Sequence, residues 1–248
     1  KQLGTLGGGN HFIEIQKGTD GYVWVMIHSG SRNFGLKIAH VYHTIAGVLC
    51  RRWHVDLPDK DLAFLPIETP EAKEYLMAMF YAVKFAQQSR RHMIDTVMDI
   101  MRKELKFLSF QIPLDIAHNY AAWENHFGEN VLVHRKGATR ARDGELGIIP
   151  GSQGTHSYIV RGRGNPESFE SCSHGAGRKL GRSVAKRTLD LVTEQKRLDV
   201  QGIVHSVRNV GDLDEAAGAY KDIDLVMKLQ ADLVDIVEVL SPLGVIKG

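Results

Sequence analysis

The apolar run Tyr22-Val23-Trp24-Val25-Met26-Ile27 stops abruptly at His28-Ser29-Gly30-Ser31, and the same pattern recurs along the chain. Val131-Leu132-Val133, Gly147-Ile148-Ile149 and Tyr158-Ile159-Val160 each end at a glycine, a proline or a charged cluster. Apolar runs this short, bounded by turn formers, read as buried strands that deliver polar groups at their ends. Asn10 to Gln16 alternates and is rich in β-branched and aromatic residues, and the stretch from Gly18 to Gly21 is turn-like. Residues 10–29 are therefore predicted to form a strand pair.

Helical patterning occupies other stretches. Residues 35–106 are predicted to be mainly helical, with Thr69 as a cap and Pro70 in the first turn. Leu76, Met79, Phe80, Val83, Ala86, Met93, Val97, Ile100 and Met101 follow the three-and-four spacing of a core-facing stripe. Residues 212–240 are predicted to end in an amphipathic helix capped by Asp222, with Ile223, Val226, Met227, Gln230, Leu233, Ile236, Val237 and Leu240 on its apolar face and Ser241-Pro242 as the stop. No repeat, low-complexity segment or linker interrupts the chain. The expectation is an α+β fold, mixed β-sheets with flanking helices, in a single domain over 1–248.

Hydrophobic residues make up 43% and charged residues 24%, which excludes fibrous and broadly disordered classes. A net charge of +2 is too small for a wholesale polyanion binder. Residues 134–187, however, carry 11 Lys/Arg against 4 Asp/Glu, a local charge of +7 on glycine-rich turns, which points to focused anion binding. Two cysteines cannot form a disulfide framework, so a reducing, cytoplasmic setting is expected. No apolar run approaches the roughly 18–20 residues of a membrane span.

Glycine is 25 of 248 residues and histidine 12, and several histidines sit beside Gly, Asn or Ser. That pairing suggests backbone held close to a ligand with imidazoles nearby. Gly7-Gly8-Gly9-Asn10-His11-Phe12-Ile13-Glu14 offers an amide, a metal ligand and a carboxylate, though on an ideal strand His11 and Glu14 face opposite ways. His28-Ser29-Gly30-Ser31-Arg32 and Ala117-His118-Asn119 lack the short spacing of a zinc finger or HExxH helix, so any metal must be assembled across the fold. His40, His43, His54, His92 and His126 read as ordinary surface or core residues. His134-Arg135-Lys136-Gly137-Ala138-Thr139-Arg140 is a candidate oxyanion cradle, and Ile149-Pro150-Gly151-Ser152-Gln153-Gly154-Thr155 with Ser157 a tight turn that presents N–H groups and hydroxyls, without the Lys-Ser/Thr of a P-loop. Ser171-Cys172-Ser173-His174-Gly175-Ala176-Gly177-Arg178 is predicted to sit at a helix N-terminus, where a histidine beside a phosphate could act as a nucleophile.

Taken together and in this order, these motifs closely resemble the RtcB family of RNA ligases, from Leu3 to the final Ile246-Lys247-Gly248. The resemblance implies a GTP- and Mn²⁺-dependent ligase that joins an RNA 2′,3′-cyclic phosphate or 3′-phosphate end to a 5′-hydroxyl end through a histidine–GMP intermediate, in tRNA splicing or RNA repair. It implies that His174 is guanylylated and that His11, His28 and His118 bind two Mn²⁺ ions. Asn10, His11, Phe12, Ile13, Glu14, His118, Asn119, Pro150, Gly151, Ser152, Gln153, Ser157, His174, Gly175, Ala176, Gly177, Tyr220 and Lys247 match positions around the guanylate. Arg135, Lys136, Arg140, Arg161 and Arg163 would hold RNA phosphates. The implied partners are RNA, as tRNA halves or cleaved ends, and GTP, with room for an activating protein and no membrane.

Two departures stand out. The family's metals also take an Asp and a bridging Cys from an N-terminal Asp-x-x-Cys segment, which this sequence does not contain, so the chain reads as lacking an N-terminal portion. Gln153 stands where the family commonly has Met. The 248 residues are accordingly expected to build most of a GTP pocket and an incomplete metal site. The alternatives are a truncated homologue that binds GTP or RNA without ligating, and a metal-dependent phosphohydrolase on the same histidines.

Overall fold

A computed structural model describes residues 2–106 and 109–248; Lys1, Phe107 and Leu108 lie outside the described residues. The chain divides into two compact units: one takes in Ser29–Ser109 with the segment up to Thr5, the other Leu6–His28 and Phe110–Gly248. Helices and antiparallel sheets coexist, as an α+β fold requires.

The first unit is built on α1 (Arg32–Arg52) and α2 (Pro70–Leu105). The Thr69 hydroxyl accepts from the Ala72 N–H, and Pro70 occupies the first turn, as its residue types predict. The buried positions of α2 are Ala72, Ala82, Ala86, Ser89 and Met93, whereas Phe80 and Ile100 of the predicted stripe are exposed. Small residues at most inward positions let two helix backbones approach closely, and Phe80 and Ile100 are left outside. None of the described helices is long and apolar enough to cross a membrane.

The second unit carries a five-stranded antiparallel sheet in the order β2-β1-β9-β7-β6. Its strands are β1 (Phe12–Gly18), β2 (Val23–His28), β6 (Leu146–Ile149), β7 (Ser157–Gly162) and β9 (Val234–Lys247). β3 (Asn119–His126) and β4 (Glu129–Lys136) form a hairpin; β5 (Ala138–Arg140) pairs with β8 (Ser171–Ser173). Three short helices, α3 (Arg182–Thr188), α4 (Leu191–Asp199) and α5 (Ile223–Lys228), complete the unit.

The C-terminal helix predicted over 212–240 is a correction. Asp222 does cap a helix, accepting from the Asp224 and Leu225 N–H groups, but α5 stops at Lys228 and residues 234–247 form the central strand. Val234, Ile236, Val237 and Val239 are β-branched, and short apolar patterns fit both periods; pairing to β1 on one side and β7 on the other decides between them. Pro242 is accommodated where the β1–β9 register shifts between Ile15 and Gln16.

The core lies on both faces of this sheet. Ile149, Tyr158, Val160, Ile223, Met227 and Val234 form one cluster; Met26, Ile159 and Leu240 form another. Leu240 is fully buried on the central strand. Leu240→Ala is expected to cost about 2–5 kcal/mol, read as a lowered urea midpoint with an unchanged m-value. A midpoint unchanged within error would mean that this cluster does not hold the sheet.

Candidate active site

Strand register assembles the first wall of the site. Phe12 pairs with His28 on one side and Lys247 on the other, so adjacent strands set His28, Phe12 and Lys247 in one row; Glu14, with Met26 and Val245, forms the next. The Lys247 Nζ lies 5.7 Å from the Phe12 ring centroid. His11 directly precedes β1, and its ring lies 5.9 Å from that of His28. His118 directly precedes β3, and His174 directly follows β8. Ring centroids are 5.2 Å apart for His28 and His118 and 4.9 Å for His118 and His174, and the Nε2 atoms of His28 and His118 are 3.3 Å apart. Four histidines scattered along the sequence thus form one chain of imidazoles.

Burial favours the neutral form of His28 and His174. It pushes His28 down to about 3, with further lowering from His118, His11, His174 and Lys247. Burial also lowers His174, opposed by a hydrogen bond to the Gly137 backbone. Neighbouring imidazoles are a donor type suited to divalent transition metals, so His11, His28 and His118 are the residues that would hold such ions.

Beside the imidazoles lies a cavity of about 310 Å³ lined by Asn10, Phe12, Glu14, His28, Pro150 to Gln153, His174 to Arg178, Arg182, Glu215, Tyr220, Val245 and Lys247. Its far wall is the turn after β6. A Cβ on Gly151 would sit 2.1 Å from the His156 carbonyl oxygen, so only glycine fits there, and the Ser157 hydroxyl accepts from the Gly151 N–H at 3.1 Å. The Ala176 N–H donates to the Pro150 carbonyl at 3.0 Å and joins this turn to the His174 loop. Gly177 adopts φ +71°, open to glycine at little cost.

Two carboxylates sit inside. Glu14 is 4% exposed, and its Oε1 has no hydrogen-bond partner among the described residues. Burial pushes its pKa up to about 8, against the pull of Lys247. Glu215 is the opposite case: it accepts from Arg178 Nη1 at 3.2 Å, Arg182 Nε at 3.1 Å and the Tyr220 hydroxyl. Burial and the Glu215 bond both raise the Tyr220 pKa, and burial lowers that of Lys247. Gln153 donates through Nε2 to the Glu215 carbonyl at 3.0 Å, leaving its buried Oε1 without a hydrogen-bond partner among the described residues.

Most of the residues singled out from the sequence line this cavity. His11 and His118 stand beside it in the line of imidazoles and do not line it; nor does Ile13, because alternation turns it to the other face of β1; Ser157 supports the turn through Gly151, and Asn119 is exposed at the start of β3. Arg178, Arg182 and Glu215 were not singled out as site residues: Glu215 lies 37 residues from Arg178, with no local pattern to join them. Two expectations are corrected. No helix begins at Gly175–Gly177; α3 starts at Arg182, and loop backbone surrounds His174 instead. Arg135 is no surface cation. Its side chain is 1% exposed and forks Glu124 at 2.6 and 2.8 Å, because a guanidinium on the buried face of a hairpin needs a carboxylate beside it. Arg140 pairs with Glu145 and Arg163 with Asp235, whereas Lys136 and Arg161 remain exposed.

His126 too is more than an ordinary core residue. Glu124, His126 and Glu170 bring ligand-type atoms within 4.8 Å of one another. The Arg135 guanidinium already engages both Glu124 oxygens, so a cation is supplied there by the protein itself.

Comparison with known proteins adds a second line. The family model described as tRNA-splicing ligase RtcB matches residues 1–248. The chain is 42% identical over 255 residues to RNA-splicing ligase RtcB1 of Escherichia coli (strain ATCC 25922) and 40% identical over 255 residues to RNA-splicing ligase RtcB of Escherichia coli (strain K12). It is 35% identical over 288 residues to tRNA-splicing ligase RtcB of Nanoarchaeum equitans. All of this chain is covered in each comparison, but it spans only 62%, 62% and 60% of those relatives.

Proposed function

Because the chain belongs to the RtcB family, we propose that residues 1–248 act as a ligase catalytic domain, GTP- and Mn²⁺-dependent, that joins an RNA 3′-phosphate or 2′,3′-cyclic phosphate end to a 5′-hydroxyl end. The observation that carries this reading is the line of imidazoles, His11–His28–His118–His174, ending on the cavity that holds Glu14 and Lys247.

The cavity suits a guanine nucleotide. A buried carboxylate oxygen without a donor is costly, and the N1–H and N2–H edge of guanine would supply a donor to Glu14 Oε1. Phe12 offers an apolar ring, and Lys247 a cation beside it. Arg178 and Arg182, tethered by Glu215, face the phosphates together with the backbone of the His174–Gly177 loop. When bound through His11, His28 and His118, Mn²⁺ supplies Lewis-acid stabilisation of phosphoryl charge.

His174, kept neutral by burial, offers a ring nitrogen to the α-phosphorus. A nitrogen–phosphorus bond forms, and the bond to the pyrophosphate oxygen breaks. An oxygen of the RNA 3′-phosphate (a 2′,3′-cyclic end is first opened by water, which bonds to phosphorus as the bond to O2′ breaks) then attacks the guanylate phosphorus and releases His174, giving an RNA end capped by GMP through a pyrophosphate. The 5′-hydroxyl oxygen attacks the RNA-side phosphorus, loses its proton to solvent and expels GMP. Lys136 and Arg161, both exposed, are cations that would meet RNA phosphates.

The test is a joining assay on the natural full-length protein with labelled tRNA halves or cleaved RNA ends. Product is expected only with GTP and Mn²⁺ together, and only from a 5′-hydroxyl acceptor. Nucleotide binding without joined product would favour a homologue that binds GTP or RNA without ligating. Phosphate release without joining would favour a phosphohydrolase.

A further inference from the structure

The buried network around Arg135 has no part in the chemistry above, yet it ends three residues from His174. From β4, Arg135 forks Glu124, and His126 Nε2 lies 2.9 Å from the Glu124 Oε2. The same guanidinium reaches across to the first residue of β8 and the segment before it. Its Nε donates to the Ser171 Oγ at 2.9 Å, and its Nη2 to the Phe169 carbonyl at 2.9 Å. Phe169 and Glu170 both adopt left-handed backbone, φ 53° and 47°, which residues with side chains avoid unless neighbours hold them. The Phe169 ring is wedged against His126, with centroids 4.9 Å apart, and against Phe127 at 5.6 Å.

β8 is only Ser171–Ser173, and His174 follows it. Its far end is fixed by pairing of Ser173 with Ala138 and by the Ser173 N–H donating to Gln230 Oε1 at 2.9 Å. Its near end pairs with Arg140, and Arg135 adds the side-chain clamp there. The hairpin that carries Arg135 also starts one residue after His118, so one element sets both a candidate metal ligand and the strand of the candidate nucleophile. In-line attack tolerates little misplacement: a shift near 1 Å can cost about 10²-fold.

We propose that Arg135, held by Glu124, is a positioning residue that fixes the strand aiming His174 at the nucleotide phosphate, and that it is not an RNA ligand. The proposal rests on His174 being the guanylylated residue. A metal at Glu124, His126 and Glu170 would have to displace this guanidinium, and the strand clamp would go with it.

The experiment uses the full-length protein and two readouts. One is the rate of label transfer from α-labelled GTP to protein across GTP concentrations. The other is sealing of an RNA supplied already capped as the GMP-activated 3′ end, a step in which His174 forms no bond. Arg135→Gln and Glu124→Gln are each expected to lower kcat for label transfer about 10²-fold while KM for GTP moves less than about threefold and sealing of the activated RNA stays within about twofold. Ser171→Ala, which removes the hydroxyl that accepts from Arg135 and donates to the Phe169 carbonyl, is expected to lose about threefold to tenfold in kcat for label transfer, and Ser171→Thr, which keeps the hydroxyl, to retain the rate. If Arg135→Gln does not fold, the Ser171 pair decides alone. Equal losses in both readouts would make the network merely structural and overturn the proposal. So would unchanged label transfer, or a loss confined to RNA affinity. A label that survives in His174→Ala would instead overturn the reading of His174 itself.

Discussion

His174→Ala is expected to remove all covalent label when the full-length protein is incubated with α-labelled GTP and Mn²⁺. The wild-type adduct should be acid-labile and hydroxylamine-sensitive, as a phosphoramidate is. The argument is geometric: His174 is the histidine that stands both in the chain of imidazoles and on the loop joined to the Pro150 turn, with its ring 4.9 Å from that of His118. Removing a nucleophile eliminates the step, so the loss should exceed about 10⁴-fold, the scale seen when a covalent catalyst loses its attacking group. Guanine nucleotide binding should survive, because Glu14, Lys247 and the Pro150 turn remain. His28→Ala is the useful contrast, since it should weaken Mn²⁺ uptake and slow labelling while leaving the attacking atom in place. Label retained on the His174→Ala protein would place the nucleophile on another residue.

Glu14→Gln is expected to trade binding for stability. An isosteric amide keeps the shape but loses the charge that guanine N–H donors would meet, and hydrogen bonds to charged groups are worth about 1.5–3 kcal/mol, so GTP affinity should fall about 10–100-fold. Discrimination between GTP and ITP, which lacks the exocyclic amine, should shrink with it. The nucleotide-free protein should gain stability. Burial raises the Glu14 pKa to about 8 in the folded state, so the folded protein binds the proton more tightly than the unfolded chain. Stability is then fullest below the ordinary carboxylate pKa and is lost progressively as pH rises from there through about 8. The glutamine variant has no such loss, so it should melt higher than wild type at pH 8 and nearly the same at pH 5. The gap should be a few kcal/mol at most, given about 1.36 kcal/mol per pKa unit. A difference independent of pH, or an undiminished preference for GTP over ITP, would remove Glu14 from the role of base acceptor.

What the sequence determined was local. Thr69-Pro70 starts a helix because a hydroxyl cap and a residue without an N–H suit a first turn in almost any context. The paired strands at residues 10–29 and the turn at Pro150–Ser152 were likewise readable, because alternation and glycine placement act over a few residues. The motif histidines stood out by their glycine and asparagine neighbours. Their meeting did not, because His28 and His118 are 90 residues apart and only the sheet register and the start of a separate hairpin bring their rings together. The same holds for β9, whose β-branched residues fit either period until β1 and β7 claimed its two edges. Charge was the least readable of all. Arg135 and Glu215 look like surface residues in a polar sequence, and tertiary burial alone turned one into a clamp on a strand and the other into the tether of two arginines. An ion pair's partner lies at whatever separation the fold dictates, and its strength depends on water being excluded, which no stretch of sequence records.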